Sequence, residues 1–307
     1  MDSANKQTAI IAEVTQGTTP ATPAFLLTRD IRVSGSPSRP ATRSPERRAD
    51  RMAANMTTGL SSFPKTIELP YVRDAATDVL WESTLMGTWT ANVLKNASTA
   101  KFFTIEEKYE GGATDPYRRL AGCMVDSCSI GFRNGEPGTL SFGIRALGET
   151  SATAAIASAT YAAPTPGYDP STPADIVVNN LFGMTTPKVM NFSMTITNSL
   201  REQYAWGSNA PYGIGLGLFD VSGTVDVYFS IAADYSTFMT RQTAQTLSLT
   251  IGSTTLFKDT IALGNCDVFN PDVSDPGATG DHMVTLHFMA RYYATDTAAI
   301  KITRLVA

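Results

Sequence analysis

The sequence predicts a mainly β protein built as two tandem β-sandwich or barrel domains, each with one flanking helix. Three observations lead there. Short runs in which apolar and polar residues alternate outnumber stretches of helical periodicity. Turn-forming residues punctuate those runs, with 23 glycines and 17 prolines in 307 residues. The order strand, helix, turn, strand also occurs twice.

The predicted strands are Lys65–Val72, Cys123–Phe132, Thr139–Arg145, Val189–Thr197, Gly223–Phe229 and Met283–Ala290. Alternation within most of them implies a sheet with one buried and one polar face. Two stretches read as helices. Asp74–Met86 carries apolar Val79, Leu80, Leu85 and Met86 behind Asp74 as a candidate N-cap, and the shorter Ala232–Thr240 carries Tyr235, Phe238 and Met239.

The strands ahead of these helices resemble each other. Thr66-Ile-Glu-Leu aligns with Thr224-Val-Asp-Val, and the same displacement lays Ala75 on Ala233 and Leu80 on Phe238. Downstream, Glu136-Pro-Gly before Leu140–Arg145 corresponds to Asp275-Pro-Gly before Val284–Phe288. An internal duplication is therefore expected. It divides the chain into an N-terminal arm (1–24), a first domain (25–150), a linker (151–175) and a second domain (176–307). The prolines of the linker are expected to block both ladder pairing and helix.

Composition narrows the function. Lys+Arg number 24 and Asp+Glu 28, for a net charge of −4, and only 17% of residues are charged against 43% hydrophobic. Low charge leaves large uncharged areas available for contact. Three cysteines, Cys123, Cys128 and Cys266, cannot all pair within one chain, and no CxxC or Cys/His cluster accompanies them. A reducing compartment is the expectation, without disulfide scaffold or zinc site. No signal peptide and no apolar run of bilayer length is expected either.

Enzyme constellations are not evident. His282 and His287 sit at an odd spacing that points them to opposite faces of a strand. There is no Gly-x-Ser-x-Gly, and Gly213-Ile-Gly-Leu-Gly217 fails the phosphate-cradle spacing. Asp272, Asp275 and Asp281 lack EF-hand spacing and read as a turn. Neither cofactor nor metal is expected. Acidic net charge and the lack of aromatics among the arginines argue against specific nucleic-acid binding.

Two loops stand out. Ser34–Gly59 is a long irregular connection bearing Arg39, Arg43, Arg47, Arg48 and Arg51, with no lysine. Arginine's planar fork suits protein contacts, so this loop is a candidate interface. The matching connection of the second copy, Leu200–Gly217, is shorter and aromatic. Its Tyr204, Trp206 and Tyr212 are candidate subunit contacts, with packing over their own core as the alternative. Thr66 and Glu68, with their counterparts Thr224 and Asp226, lie on the polar face of the duplicated strands.

Several segments in order carry a family resemblance: Ala12–Pro23, Arg43–Arg51, Trp81–Trp89, Phe103–Glu107, Leu200–Ala205 and Gly213–Gly217. Over nearly its whole length the chain resembles the tail tube (major tail) proteins of long, non-contractile-tailed bacteriophages. That resemblance implies small β-sandwich domains with a flanking helix, forming rings that stack into a tube through which the genome passes. It implies a virion protein made in the host bacterial cytoplasm, whose partners are copies of itself and the terminator, distal tail or baseplate, and tape-measure proteins. DNA would pass without specific binding, and no membrane is involved. Ser34–Gly59 takes the place of the loop that reaches the adjacent ring, and the flexible N-terminal arm and linker would be further ties. With two tube-like domains per chain, three chains would supply six per ring, predicting a trimer with pseudo-sixfold symmetry, with a true hexamer as the alternative. If the face bearing the paired acids lines the channel, they would repel phosphate during genome ejection, with plain solvent exposure on the outer wall as the alternative. The competing class is a β-sandwich binding module, such as a virion decoration or carbohydrate-binding protein.

Overall fold

The computed structural model describes residues 6–109, 116–164, 175–228, 232–252, 258–274 and 280–304. The first half runs β1 (Lys6–Glu13), β2 (Ala24–Leu27), β3 (Arg32–Ser34), β4 (Ala41–Arg43), β5 (Met56–Thr58), β6 (Phe63–Pro70), α1 (Ala75–Leu85), β7 (Val93–Lys95), β8 (Phe102–Tyr109), β9 (Tyr117–Arg133), β10 (Thr139–Ala146), β11 (Gly148–Ala152) and β12 (Thr160–Ala162). The second half runs β13 (Ile176–Leu181), β14 (Val189–Thr197), β15 (Arg201–Gln203), β16 (Gly213–Gly215), β17 (Asp220–Tyr228), α2 (Ala232–Phe238), β18 (Gln242–Ile251), β19 (Asp259–Ser274), β20 (Met283–Ala290) and β21 (Lys301–Arg304).

A single antiparallel sheet crosses both halves in the order β3-β6-β10-β9-β14-β17-β20-β19. The long strands β9 and β19 enter it with their C-terminal parts. Their N-terminal parts belong to a second sheet in each half. In the first half that sheet is β12-β2-β1-β8-β9-β11, and in the second it is β13-β18-β19-β21-β7. The pairings correspond one for one. β1–β8, β8–β9, β9–β11, β9–β10, β10–β6 and β6–β3 have counterparts in β13–β18, β18–β19, β19–β21, β19–β20, β20–β17 and β17–β14. A helix follows β6 and β17 alike.

Alternation builds the core. On β6, Lys65, Ile67 and Leu69 are buried while Thr66 and Glu68 lie on the other face, and on β10 Leu140, Phe142, Ile144 and Ala146 repeat the pattern. The buried faces of the shared and second sheets meet in one cluster that runs through both halves. Aromatic rings thread it across the junction. Tyr71 packs on Phe132 at 5.2 Å, Phe132 on Phe192 at 6.3 Å, Phe192 on Phe288 at 6.0 Å, Phe288 on Phe182 at 5.7 Å, and Phe182 on Phe238 at 6.4 Å. Each such pair contributes roughly 0.5–1.5 kcal/mol beyond buried area. Gly223 makes room for one of them, since a Cβ there would sit 2.6 Å from the Phe288 ring.

Helix α1 starts where Asp74 accepts from the Thr77 amide at 2.7 Å, and it ends with Met86 in the left-handed region at φ 50°. Its buried face presents Ala76, Leu80, Trp81 and Leu85, with Trp81 edge-on to Phe142. Charged groups buried in the first half are paired. Glu107 accepts from Lys6 Nζ at 2.6 Å and Lys65 Nζ at 2.7 Å. Burial alone would raise its carboxyl, but the two lysines outweigh that and hold its pKa below the ordinary 4.5.

Three expectations change. Lys6–Glu13 is strand β1 and not a flexible arm, because Thr8, Ala9 and Ile10 are buried against β8. Ser34–Gly59 is not irregular: β4 and β5 pair within it as a hairpin. The stretch 151–175 is not a bare linker: ahead of its prolines, Thr160–Ala162 pairs in parallel with β2 as β12. Tyr161 there stacks on Phe25 at 5.5 Å and donates to Glu106. The remainder of that stretch, 165–174, and the Asp275-Pro-Gly turn lie outside the described residues.

Candidate assembly interface

Both halves interrupt the same connection with a hairpin, β4–β5 between β3 and β6 and β15–β16 between β14 and β17. In β4–β5 the register is Ala41↔Thr58, Thr42↔Thr57 and Arg43↔Met56. Nearly every residue from Glu46 to Thr58 is exposed, including Met52 and Met56 at 70% and 65%. Its acids shape its own tip. Glu46 accepts from the Ala54 amide at 3.2 Å, and Asp50 accepts from the Met52 amide and pairs with Arg48 at 3.2 Å. Hydrogen bonds from Arg48 and the Met52 amide hold the Asp50 carboxyl below its ordinary pKa. Arg39, Arg43, Arg47 and Arg51 are exposed on the arm and make no ion pair among the described residues. Five arginines thus stand on an arm that the body does not cover.

The second hairpin lies down. Asn198 Nδ2 donates to Thr84 O and Val125 O, both at 2.9 Å, and the Leu200 amide donates to Asp126 Oδ1 at 2.7 Å. Leu200 and Ile214 pack with Met86 and Met124 in a small core of their own. The Tyr204 hydroxyl lies 2.8 Å from Ser61 O and 2.7 Å from Glu202 Oε2, two acceptors that share its one proton, while the Ser61 amide donates to Asn209 O at 2.7 Å. Burial and the Glu202 carboxylate push the Tyr204 hydroxyl up to about 12. Tyr204 is therefore spent inside the chain, tying the base of the first hairpin to the second. Trp206 and Tyr212 point outward, Trp206 fully exposed and Tyr212 at 64%.

Thr66, Glu68, Thr224 and Asp226 share the non-core face of the sheet that spans both halves. The register links them through hydroxyl-bearing rows. Glu68 stands opposite Ser141, then Ser129, Thr195 and Ser222, while Thr224 stands between Ser193 and His287. Asp226 accepts from Asn191 Nδ2 at 2.8 Å and Thr285 Oγ1 at 2.7 Å. The sequence sets Glu68 and Asp226 on matching polar faces of two separate strands. The β9–β14 pairing that makes one surface of them was not visible in either strand alone.

A model of the family described as phage tail tube protein matches residues 3–295. The chain belongs to that family. It is thus a structural component of the virion tail. No curated protein matches the chain. All three cysteines are buried, with Cys123 and Cys266 at equivalent points of β9 and β19, and burial raises their thiols. Among the described residues no group of three His, Cys, Asp or Glu side chains is placed to hold a metal, and no helix is long and apolar enough to cross a membrane.

Proposed function

We propose that three copies of this tail tube protein close head-to-tail into a ring of six equivalent halves, and that such rings stack into the conduit for genome delivery. The observation that carries this reading is the β9–β14 junction. Two halves with matching pairings already stand side by side in one sheet, as neighbours in a ring would, and among the described residues that sheet has no further strand at either end. We take the halves to be an internal duplication. Ring closure through unlike edges, with stacking through unlike faces, is the arrangement that grows a filament.

The arginine arm is assigned to contact between rings, because it has surface to offer and none of its own chain to cover it. Trp206 and Tyr212 are assigned to contacts between subunits. The hydroxyl-rich face with Glu68 and Asp226 is assigned to the channel, where neutral and acidic groups let a phosphate backbone slide. Terminator, distal tail and tape-measure proteins would meet the ends and the channel. Synthesis in a reducing cytoplasm accords with three buried free thiols.

Symmetry-resolved electron microscopy of assembled tubes tests the reading. Threefold symmetry with alternating halves around the channel is expected. Strict sixfold symmetry with one half per chain at the channel overturns the trimer, and absence of any hollow filament overturns the tube.

A further inference from the structure

The two halves use their edges unequally, and the inequality locates the missing partner. In the first half the C-terminal part of β9 has β10 on one side and β14 on the other, from Asn191↔Arg133 to Thr197↔Ser127. In the second half the corresponding part of β19 has β20 on one side. Beyond Val268, where β18 leaves it, no described strand pairs with its other edge. At the opposite end of the sheet, β3 pairs with β6, and among the described residues no strand pairs with its other edge. Residue equivalence follows from the ladders. Thr139↔Gly131 matches Met283↔Ser274, so Gly131 corresponds to Ser274. Ser34↔Thr66 matches Ser193↔Thr224, so Ser34 corresponds to Ser193.

Within the chain Ser193 stands opposite Gly131. We propose that the same ladder recurs between chains, with the β3 edge of one copy pairing antiparallel with the β19 edge of the next, Ser34 opposite Ser274 and Ser36 opposite Asp272. This rests on the ring reading above and gives it a register. Burial supports it independently. Ile130, shielded at the internal junction, is 1% exposed, whereas its counterpart Val273 is 38% exposed, and Ile31 beside β3 is 65% exposed. These are apolar groups waiting for the next sandwich to cover them.

The external ladder differs from the internal one in length. Ile196↔Cys128 of the internal ladder corresponds to Pro37 opposite Pro271, and neither proline has an N–H to donate. The ladder between chains therefore stops where the one within a chain continues. Gly35, at φ +117° and with its Cβ position 2.5 Å from Pro64 O, holds the segment after β3 tightly against β6. Prolines on an open edge blunt indiscriminate strand addition. The free subunit thus offers a short, specific edge in place of a long adhesive one.

A pair of cysteine variants in the full chain tests the register. Directly opposite residues bring Cβ atoms within about 4.5–5.5 Å, while a two-residue slip separates them by about 7–8 Å, beyond disulfide reach. Assembled Ser34→Cys/Ser274→Cys protein is expected to yield, on mild oxidation, linked species that rise to three chains and stop. Ser36→Cys/Ser274→Cys should yield none. Links in the second variant, or intact tubes with no link in the first, overturn the proposal. Val273→Asp is the thiol-free counterpart. It changes an exposed side chain, so the melting temperature should hold while the concentration needed for assembly rises at least tenfold. Assembly at the wild-type concentration overturns the pairing. Wild-type protein that forms no rings overturns instead the reading of function.

Discussion

The hairpins β4–β5 and β15–β16 occupy the same place in the two halves and behave in opposite ways. The second rests on the half across the junction, fastened by Asn198, Leu200 and Tyr204. The first has no such half beside it and stands away from the body with its arginines outward. The difference lies in what each hairpin can reach. The ground that supports β15–β16 is α1 and β9 of the preceding half. For β4–β5 the equivalent ground would belong to another molecule. A protruding arm is then what the same hairpin becomes without a neighbouring half beneath it.

The strongest way to break this comparison is to remove the arm's chemistry. Reversing charge at Arg47, Arg48 and Arg51 to Glu is expected to leave a soluble subunit of unchanged melting temperature, since these side chains are exposed, and to abolish elongation. Electron microscopy would then find single rings or monomers, and tubes of normal length would refute the stacking role. The internal junction should fail differently. Phe192→Ala opens a cavity in the aromatic thread between Phe132 and Phe288 and is expected to cost about 3–5 kcal/mol. Denaturant unfolding should report it, with the two halves separating into distinct transitions.

Acid titration sharpens the contrast between halves. Glu107 in the first half has a lowered pKa, so the stability it contributes is present above pH 4.5 and lost as pH falls through the lower folded value. Its loss is expected to cost about 1–3 kcal/mol, and Glu107→Gln should flatten the acid limb of a melting-temperature profile. Asp259 in the second half runs the other way. Burial lifts it from 3.8 to about 6, against Arg304 at 3.8 Å without a hydrogen bond. Its contribution is full below pH 3.8 and fades as pH rises through 6, so Asp259→Asn should remove that decline. The smallest effect is expected at the channel. Glu68→Lys with Asp226→Lys should slow genome ejection in reconstituted particles, and unchanged kinetics would move that face to the outside of the tube.

Much of the shared sheet was legible because its strands bury one face only. Val189–Thr197 and Met283–Ala290 are strands with the predicted bounds, and Asp74 caps α1 as expected. β8 was missed although Phe103, Thr104, Ile105 and Glu106 alternate in character, and its polar Thr104, Glu106 and Glu107 are buried where alternation would expose them. β12 was hidden by the prolines that follow it. The arginine arm was found by composition, but its hairpin was not, because Ala41–Arg43 and Met56–Thr58 are held by backbone pairing and bury nothing. The role of Tyr204 was undecidable from sequence, for its partner Ser61 lies 143 residues away.

The parallel pairing of β12 with β2 has one more consequence. Two halves that recognise each other through a strand ladder invite exchange, in which the second half of one chain docks on the first half of another and leaves tangled dimers. Tyr161, stacked on Phe25 and bonded to Glu106, anchors the connection to the first half before the second begins. A short leash makes the chain's own partner the nearest one, and so protects the subunit from swapping domains before it meets its neighbours.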